Sequence, residues 1–260
     1  MEPRVVPALH GLLWVAHGFA LFRAYPAAWL VLFPLLWLAL FALILVPVLG
    51  PLVAMCLMPG FTAGMMFAAA ESQHARAPLP AALFVPLRSR PREQLQLGFA
   101  YTAAVFGAFF LLVWLLPSAP RPSDFGKAGR DAQAFLPFAL AAAAAYTPIM
   151  MALWYSPALV HWHGMKPGKA LFFSLIAGFR NWRAFTVYGI AFIVLQLAVP
   201  ALFSLVANLI LPAGQVREFI LALIFVPYGL AVACAFACSY YSSYVAILPE
   251  KPDAGTSGAG

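Results

Sequence analysis

The chain has 260 residues, 64% of them hydrophobic and 9% charged, with a mean hydropathy of +0.91 and a formal net charge of +7. A soluble domain carries roughly 25% charged and about 45–50% apolar residues, so this chain lacks the polar surface to cover a water-facing exterior. The apolar excess excludes disorder, three cysteines exclude a secreted disulfide scaffold, and the scarcity of charge excludes a soluble enzyme, which leaves an integral membrane protein.

From Ala24 to Ala70 there is no Asp, Glu, Lys, Arg or His, a run of 47 residues. One helix of that length would measure about 70 Å, more than twice the roughly 30 Å hydrocarbon core. Two spans are expected instead, about 26–46 and 51–70, folded at Pro47, Gly50 and Pro51, where the helical hydrogen-bond ladder is broken. Glu71, His74 and Arg76, then Arg88, Arg90, Arg92 and Glu93, precede span three, about 95–116. Residues 117–133 hold Arg121, Asp124, Lys127, Arg130 and Asp131 and read as a solvated loop. The alanine-rich span four, about 135–160, leads through a cationic segment, 161–183, to spans five and six, about 184–211 and 219–248. The tail 250–260 is too polar and short to pack, and is expected to be disordered in the cytoplasm. The reading is all-α: residues 1–249 as a single transmembrane domain of six helices in three hairpins. Continuous helix-length apolar runs exclude a barrel, whose strands alternate.

Eleven Lys and Arg fall on one set of connections and tails (Arg4, Arg23, Arg76, Arg88, Arg90, Arg92, Lys166, Lys169, Arg180, Arg183, Lys251) against four on the other. The positive-inside rule then places both termini in the cytoplasm of an inner-membrane protein. Topology accounts for the net charge without a nucleic-acid partner. About 25 residues precede the first apolar run, which is far longer than the apolar core of a signal peptide, so no cleavable leader is expected. Cys56, Cys234 and Cys238 lie inside spans, lack zinc or redox spacing, and read as small packing residues.

Each hairpin is preceded by an apolar and cationic lead-in on the cytoplasmic side. In 166–183, Leu171, Phe172, Leu175, Ile176, Phe179 and Trp182 recur at spacings of three and four, with Lys166, Lys169, Arg180 and Arg183 at the ends. This predicts an amphipathic helix in the plane of the interface. Segments 8–23 and 80–94 are shorter candidates, and Phe22 with Arg23 before span one resembles Phe179 with Arg180 before span five. A weak threefold repeat follows, each second span carrying a proline: Pro59, Pro148 and Pro227. Arg88, Arg90, Arg92, Lys166, Lys169, Arg180 and Arg183 are candidate contacts for anionic lipid headgroups, beside the plainer reading of interfacial anchors.

His161 and His163, with His74 and Glu71 on the same expected face, are the sharpest candidate for metal chemistry. Side chains of a His-x-His pair point apart on a helix, and no H-E-x-x-H or C-x-x-C spacing supports a site, so polar anchoring is favoured and no cofactor or metal is expected. The spans contain no ionisable Asp, Glu, Lys, Arg or His, which argues against ion-coupled transport and catalysis within the membrane. Nucleotide-binding, hydrolase and dinucleotide motifs are absent from the sequence, and a non-enzyme is expected. Two functional classes remain: a structural, scaffold or lipid-interacting component, and a permease for a small neutral or amphipathic solute. Thr62, Thr147 and Tyr228, close to the three span prolines, are the candidate polar path of the second. Gly60 and Gly64 form G-x-x-x-G, and with Ala139 and Ala141 to Ala145 they allow close helix approach, within the chain or to a homo-oligomer or membrane partner.

The chain also resembles an uncharacterised family of proteobacterial six-span inner-membrane proteins. The likeness runs through Val6 to Gly11, Trp14, Gly18 to Phe22 and Pro26; the turn Pro47 to Pro51; Leu83, Phe84 and Pro86 to Arg88; Trp162 to Gly164, Pro167 and Lys169 to Ser174; and Arg180 to Phe185 with Tyr188 and Gly189. It covers nearly the whole chain and implies location, but no activity or site residues. The layout is also distantly similar to the membrane domains attached to some glycerophosphodiester phosphodiesterases, in architecture only.

Overall fold

A computed structural model describes residues 2–116 and 132–248. The loop expected over 117–133 lies almost wholly, and the tail 250–260 entirely, outside the described residues. All regular structure among those residues is helical: α1 (His10–Ala24), α2 (Pro26–Ile44), α3 (Leu49–Gln73), α4 (Val85–Ser89), α5 (Pro91–Leu115), α6 (Ala132–Trp154), α7 (Ser156–His163), α8 (Pro167–Arg180), α9 (Trp182–Ile193), α10 (Val199–Ile210) and α11 (Gln215–Ile247).

Six helical stretches are long and apolar enough to cross a membrane: Pro26–Ile44, Leu49–Gln73, Pro91–Leu115, Phe135–His163, Trp182–Ile210 and Gln215–Ile247. Their large apolar side chains mostly face outward. Trp37, Phe41, Phe110, Trp114, Phe203 and Phe219 are each more than half exposed, an exterior that only lipid solvates. The chain is an all-α polytopic membrane protein.

The prolines inside the spans differ in their effect on the helices. Pro59, Pro148 and Pro227 lie inside α3, α6 and α11, which continue through them. The fourth span instead breaks at Tyr155, between α6 and α7, because Pro157 cannot donate to the carbonyl of Leu153 and crowds it. In the fifth span a π-helical turn, Val194–Ala198, joins α9 to α10 immediately before Pro200. That turn widens the ladder where the proline ring would strike the Gln196 carbonyl. Segment 80–94 is likewise not one helix. Pro80, Pro86 and Pro91 divide it into a 3-10 turn (Pro80–Phe84), α4 and the start of α5.

The helices group into two compact units, and α2, α3 and α8 contribute to both. The first takes residues 1–37, 65–83 and 179–260. Here α1 lies against α9 and α11 through glycines. A Cβ on Gly11 would overlap the Ala184 carbonyl and lie 2.7 Å from Tyr188 N, and one on Gly18 would overlap the Ala235 carbonyl and lie 2.8 Å from Ser239 Cβ. Trp14, 1% exposed, sits between Phe185 and Tyr188, and the Tyr188 hydroxyl bonds Ser239 Oγ at 2.6 Å. The second unit takes 38–64 and 84–178. There α5 meets α3 at Gly98, where a Cβ would strike the Cys56 backbone, and the fully buried Gln94 donates through Nε2 to Pro157 O at 2.9 Å.

Candidate functional site

Helix α8 is the strongest amphipath with charged ends. Its buried side is small: Ala170, Ser174, Ala177 and Gly178. That stripe sits on the α6–α7 break, where Gly178 would bring a Cβ within 3.2 Å of Met151 Cβ. The Ser174 hydroxyl donates to Met151 O at 2.7 Å and accepts from Tyr155 N at 2.9 Å, bridging a donor and an acceptor that a continuous helix would pair directly. The expected apolar stripe is turned the other way. Phe172 and Phe179 are exposed, as is Trp182 at the start of α9, while Leu171, Leu175 and Ile176 are half-buried at its margins.

Lys166, Lys169, Arg180 and Arg183 flank this outward stripe, and all four are exposed. None forms an ion pair with an acidic side chain among the described residues. Lys169 Nζ lies 5.7 Å from the Phe173 ring centre and the Arg183 guanidinium 5.5 Å from that of Trp182, so two cations rest on aromatic faces at the rim of the stripe. Lys166 and Lys169 stand at the N-terminal end of α8, whose first turn carries no acidic residue. The helix dipole is positive at that end. An external anion approaching that end would meet two ammonium groups together.

The arginines near α4 divide by role. Arg88 and Arg92 are exposed, Arg88 lying over the Phe84 ring at 5.8 Å. Arg90 instead serves structure: its carboxylate neighbour is Glu93 at 3.9 Å, and its Nη2 would be only 2.9 Å from a Cβ on Gly164, the left-handed residue that ends α7. Beside it, Ser89 Oγ and His161 Nδ1 are 2.9 Å apart. His74 belongs to the other unit and bonds its own helix, with Nδ1 2.8 Å from Ala70 O. Among the described residues no group of three or more His, Cys, Asp or Glu is placed to hold a metal ion.

The candidate path residues are hydrogen-bonded locally. Thr62 donates to Met58 O at 2.9 Å and Thr147 to Ala143 O at 2.7 Å, each one turn back on its own helix. The Tyr228 hydroxyl donates at 2.6 Å to Leu195 O, inside the π-helical turn. Two polar residues not singled out from the sequence hold more of the structure. Ser174 bridges the α6–α7 break, and Asn181, between α8 and α9, clamps the N-terminal segment: its Oδ1 accepts from Val6 N at 2.8 Å and its Nδ2 donates to Arg4 O at 2.9 Å. The sequence signal for Ser174 was available, since it lies at spacings of four and three from Ala170 and Ala177 on a small-residue face.

A probable inner membrane protein of Burkholderia thailandensis is 33% identical to this chain over 250 residues, which cover 92% of this chain and 91% of that protein. The chain belongs to this inner-membrane protein family. No protein-family profile matches it, and no solved structure matches it. Membership agrees with six apolar helices in describing a multi-pass protein of the inner membrane, and it adds no chemistry to the α8 surface.

Proposed function

We propose that the protein is a non-enzymatic, lipid-organising component of the inner membrane that gathers anionic headgroups on the cytoplasmic side through α8. The observation that carries this reading is the outward apolar stripe of α8, flanked by four exposed cations without acidic partners among the described residues. A helix of 14 residues is too short to span. Lying in the interface, it buries Phe172, Phe179 and Trp182 among acyl chains and holds Lys166, Lys169, Arg180 and Arg183 at headgroup level. Each such cation is worth about 1 kcal/mol near an anionic surface. Arg88 and Arg92 add to the same field. In this reading both termini are cytoplasmic, the orientation that the distribution of Lys and Arg favours.

The test is reconstitution of the full chain in nanodiscs of mixed phosphatidylglycerol and phosphatidylethanolamine, followed by measurement of the lipid retained on extraction. The wild type should retain phosphatidylglycerol in severalfold excess over its input fraction, and the K166Q/K169Q/R180Q/R183Q variant should retain the input ratio. Equal retention by both proteins refutes the reading. For orientation, a reporter fused after residue 125 should behave as periplasmic and one after residue 165 as cytoplasmic, and the reverse pattern overturns it.

A further inference from the structure

The first unit contains an open cleft of about 380 Å³, lined from three helices by His17 of α1, Gln73 at the end of α3, and Ser242 and Val245 of α11, with Leu21 and Ala246 completing its apolar wall. Its three polar side chains share one property. Neither the His17 ring, the Gln73 amide nor the Ser242 hydroxyl has a hydrogen-bond partner among the described residues. The contrast along α11 is sharp. Ser239, three residues before it, and Ser243, the next residue, donate to carbonyls three residues back at 2.6 and 2.8 Å, as a serine in an apolar helix ordinarily does. Ser242 is 9% exposed, yet its hydroxyl is left for the cleft. The hydroxyl opens into the cleft beside His17 and Gln73, both exposed, so all three are available to a ligand.

The lining defines the ligand chemistry. The volume falls in the range of small-molecule sites, which combine an apolar wall with a few convergent polar groups. Among the described residues the wall holds no Lys, Arg, Asp or Glu. A phosphate or carboxylate headgroup would enter without a counter-charge, whereas an uncharged polyol meets donors and acceptors that match it: an amide supplying both, a hydroxyl supplying both and an imidazole. We propose that this cleft binds the uncharged, hydroxylated headgroup of an amphipathic molecule of the monoacylglycerol class, with its first methylenes against Leu21, Val245 and Ala246. This site is separate in chemistry from the anionic-lipid surface of α8, and it stands whether or not that reading holds.

The experiment uses the full chain in phosphatidylglycerol and phosphatidylethanolamine nanodiscs, labelled with a monoacylglycerol that carries a photoactivatable diazirine on its first acyl carbons. Crosslinked peptides are read by mass spectrometry. Saturable labelling is expected on the peptides containing His17 and Ser242, reduced at least fivefold by excess unlabelled monoacylglycerol and not by excess phosphatidylglycerol. Gln73→Leu and Ser242→Val should each reduce the saturable fraction at least fivefold, while Gly107→Ala, with nothing within 4 Å of its Cβ, leaves it unchanged. Gln73 is exposed at a helix end, so its variant keeps the test informative if Ser242→Val fails to fold. Labelling that does not saturate, that is displaced equally by phosphatidylglycerol, or that persists in folded Gln73→Leu overturns the proposal.

Discussion

Replacing Ser174 by alanine tests whether one hydroxyl holds the broken fourth span together. The side chain is fully buried, and its oxygen bonds both Tyr155 N and Met151 O. Alanine removes one oxygen atom and leaves those two backbone groups unpaired, at about 1–3 kcal/mol each if nothing relaxes. The two groups are a natural helical pair, and partial re-closure of the ladder recovers some of this, so a net loss of about 2 kcal/mol is expected. At roughly 2–4 °C per kcal/mol for a chain of this size, the melting midpoint followed by circular dichroism in a mild detergent should fall by about 4–8 °C. Hydrogen exchange at the Tyr155 amide should accelerate, while amides in α1 and α11 keep their protection. The second arm is a double-mutant cycle with Pro157→Ala, which restores an N–H to the break and lets Tyr155 N bond Met151 O directly. In that background the Ser174→Ala loss should shrink to below about 0.5 kcal/mol, because contacting residues couple. A midpoint unchanged within about 1 °C together with unchanged Tyr155 exchange, or equal losses with and without Pro157, would refute the bridge.

The N-terminal clamp predicts that Asn181→Leu frees residues 4–6 and makes Arg4 at least about tenfold more sensitive to trypsin, since two hydrogen bonds of about 1 kcal/mol each are lost. Asn181→Asp should do the same, because its second oxygen faces Arg4 O; unchanged cleavage in either variant counts against the clamp. Gly18→Ala should prevent α1 from seating on α11, reducing the yield of monodisperse protein severalfold, whereas Gly107→Ala, with nothing within 4 Å of its Cβ, should behave as wild type on size exclusion. Val48, at φ 64 in the α2–α3 turn, holds a β-branched side chain in the left-handed region that costs roughly 1–2 kcal/mol. Val48→Gly should therefore raise the melting midpoint or leave it unchanged, and a clear drop would show that the exposed valine side chain contributes to stability in some other way.

The sequence located the spans to within a few residues because lipid selects on hydropathy, a property each segment carries by itself. Span one was expected at 26–46 and is Pro26–Ile44; span six at 219–248 and is Gln215–Ile247. The effect of each proline was not legible for the opposite reason. Pro59, Pro148 and Pro227 stay inside continuous helices, while Pro157 breaks one and Pro200 adjoins a π turn. A proline interrupts a helix where its freed carbonyls find other partners, and the partner at the fourth span is Ser174, whose contact with residues 151 and 155 no local pattern specifies. The stripe of α8 was legible by spacing, and the direction it faces was not. Amphipathicity alone does not say whether the apolar side meets lipid or protein, and here a stripe of small residues claims the protein side.

The three lead-ins share a joint. Tyr25, Arg90 and Asn181 are single residues between a lead-in helix and the span that follows. Tyr25 at φ −140, ψ 60 and Arg90 at φ −138, ψ 58 have the same backbone, and Asn181 lies nearby at φ −112, ψ 19. In each the carbonyl accepts from the amide four residues on, at 3.2, 3.0 and 3.1 Å, so the span starts on the same hydrogen bond. The Phe and Arg pair at 179–180 stands directly before its joint and the pair at 22–23 one residue further back, so the weak repeat and the joints coincide to within one residue. What differs is the side chain. Arg90 lies over Gly164, and Asn181 holds the N-terminal segment. Backbone geometry recurs while the groups that could bind anything diverge, and the spans themselves carry almost no ionisable chemistry. Among the described residues most exposed cations of this protein therefore gather at these joints and on the helices beside them.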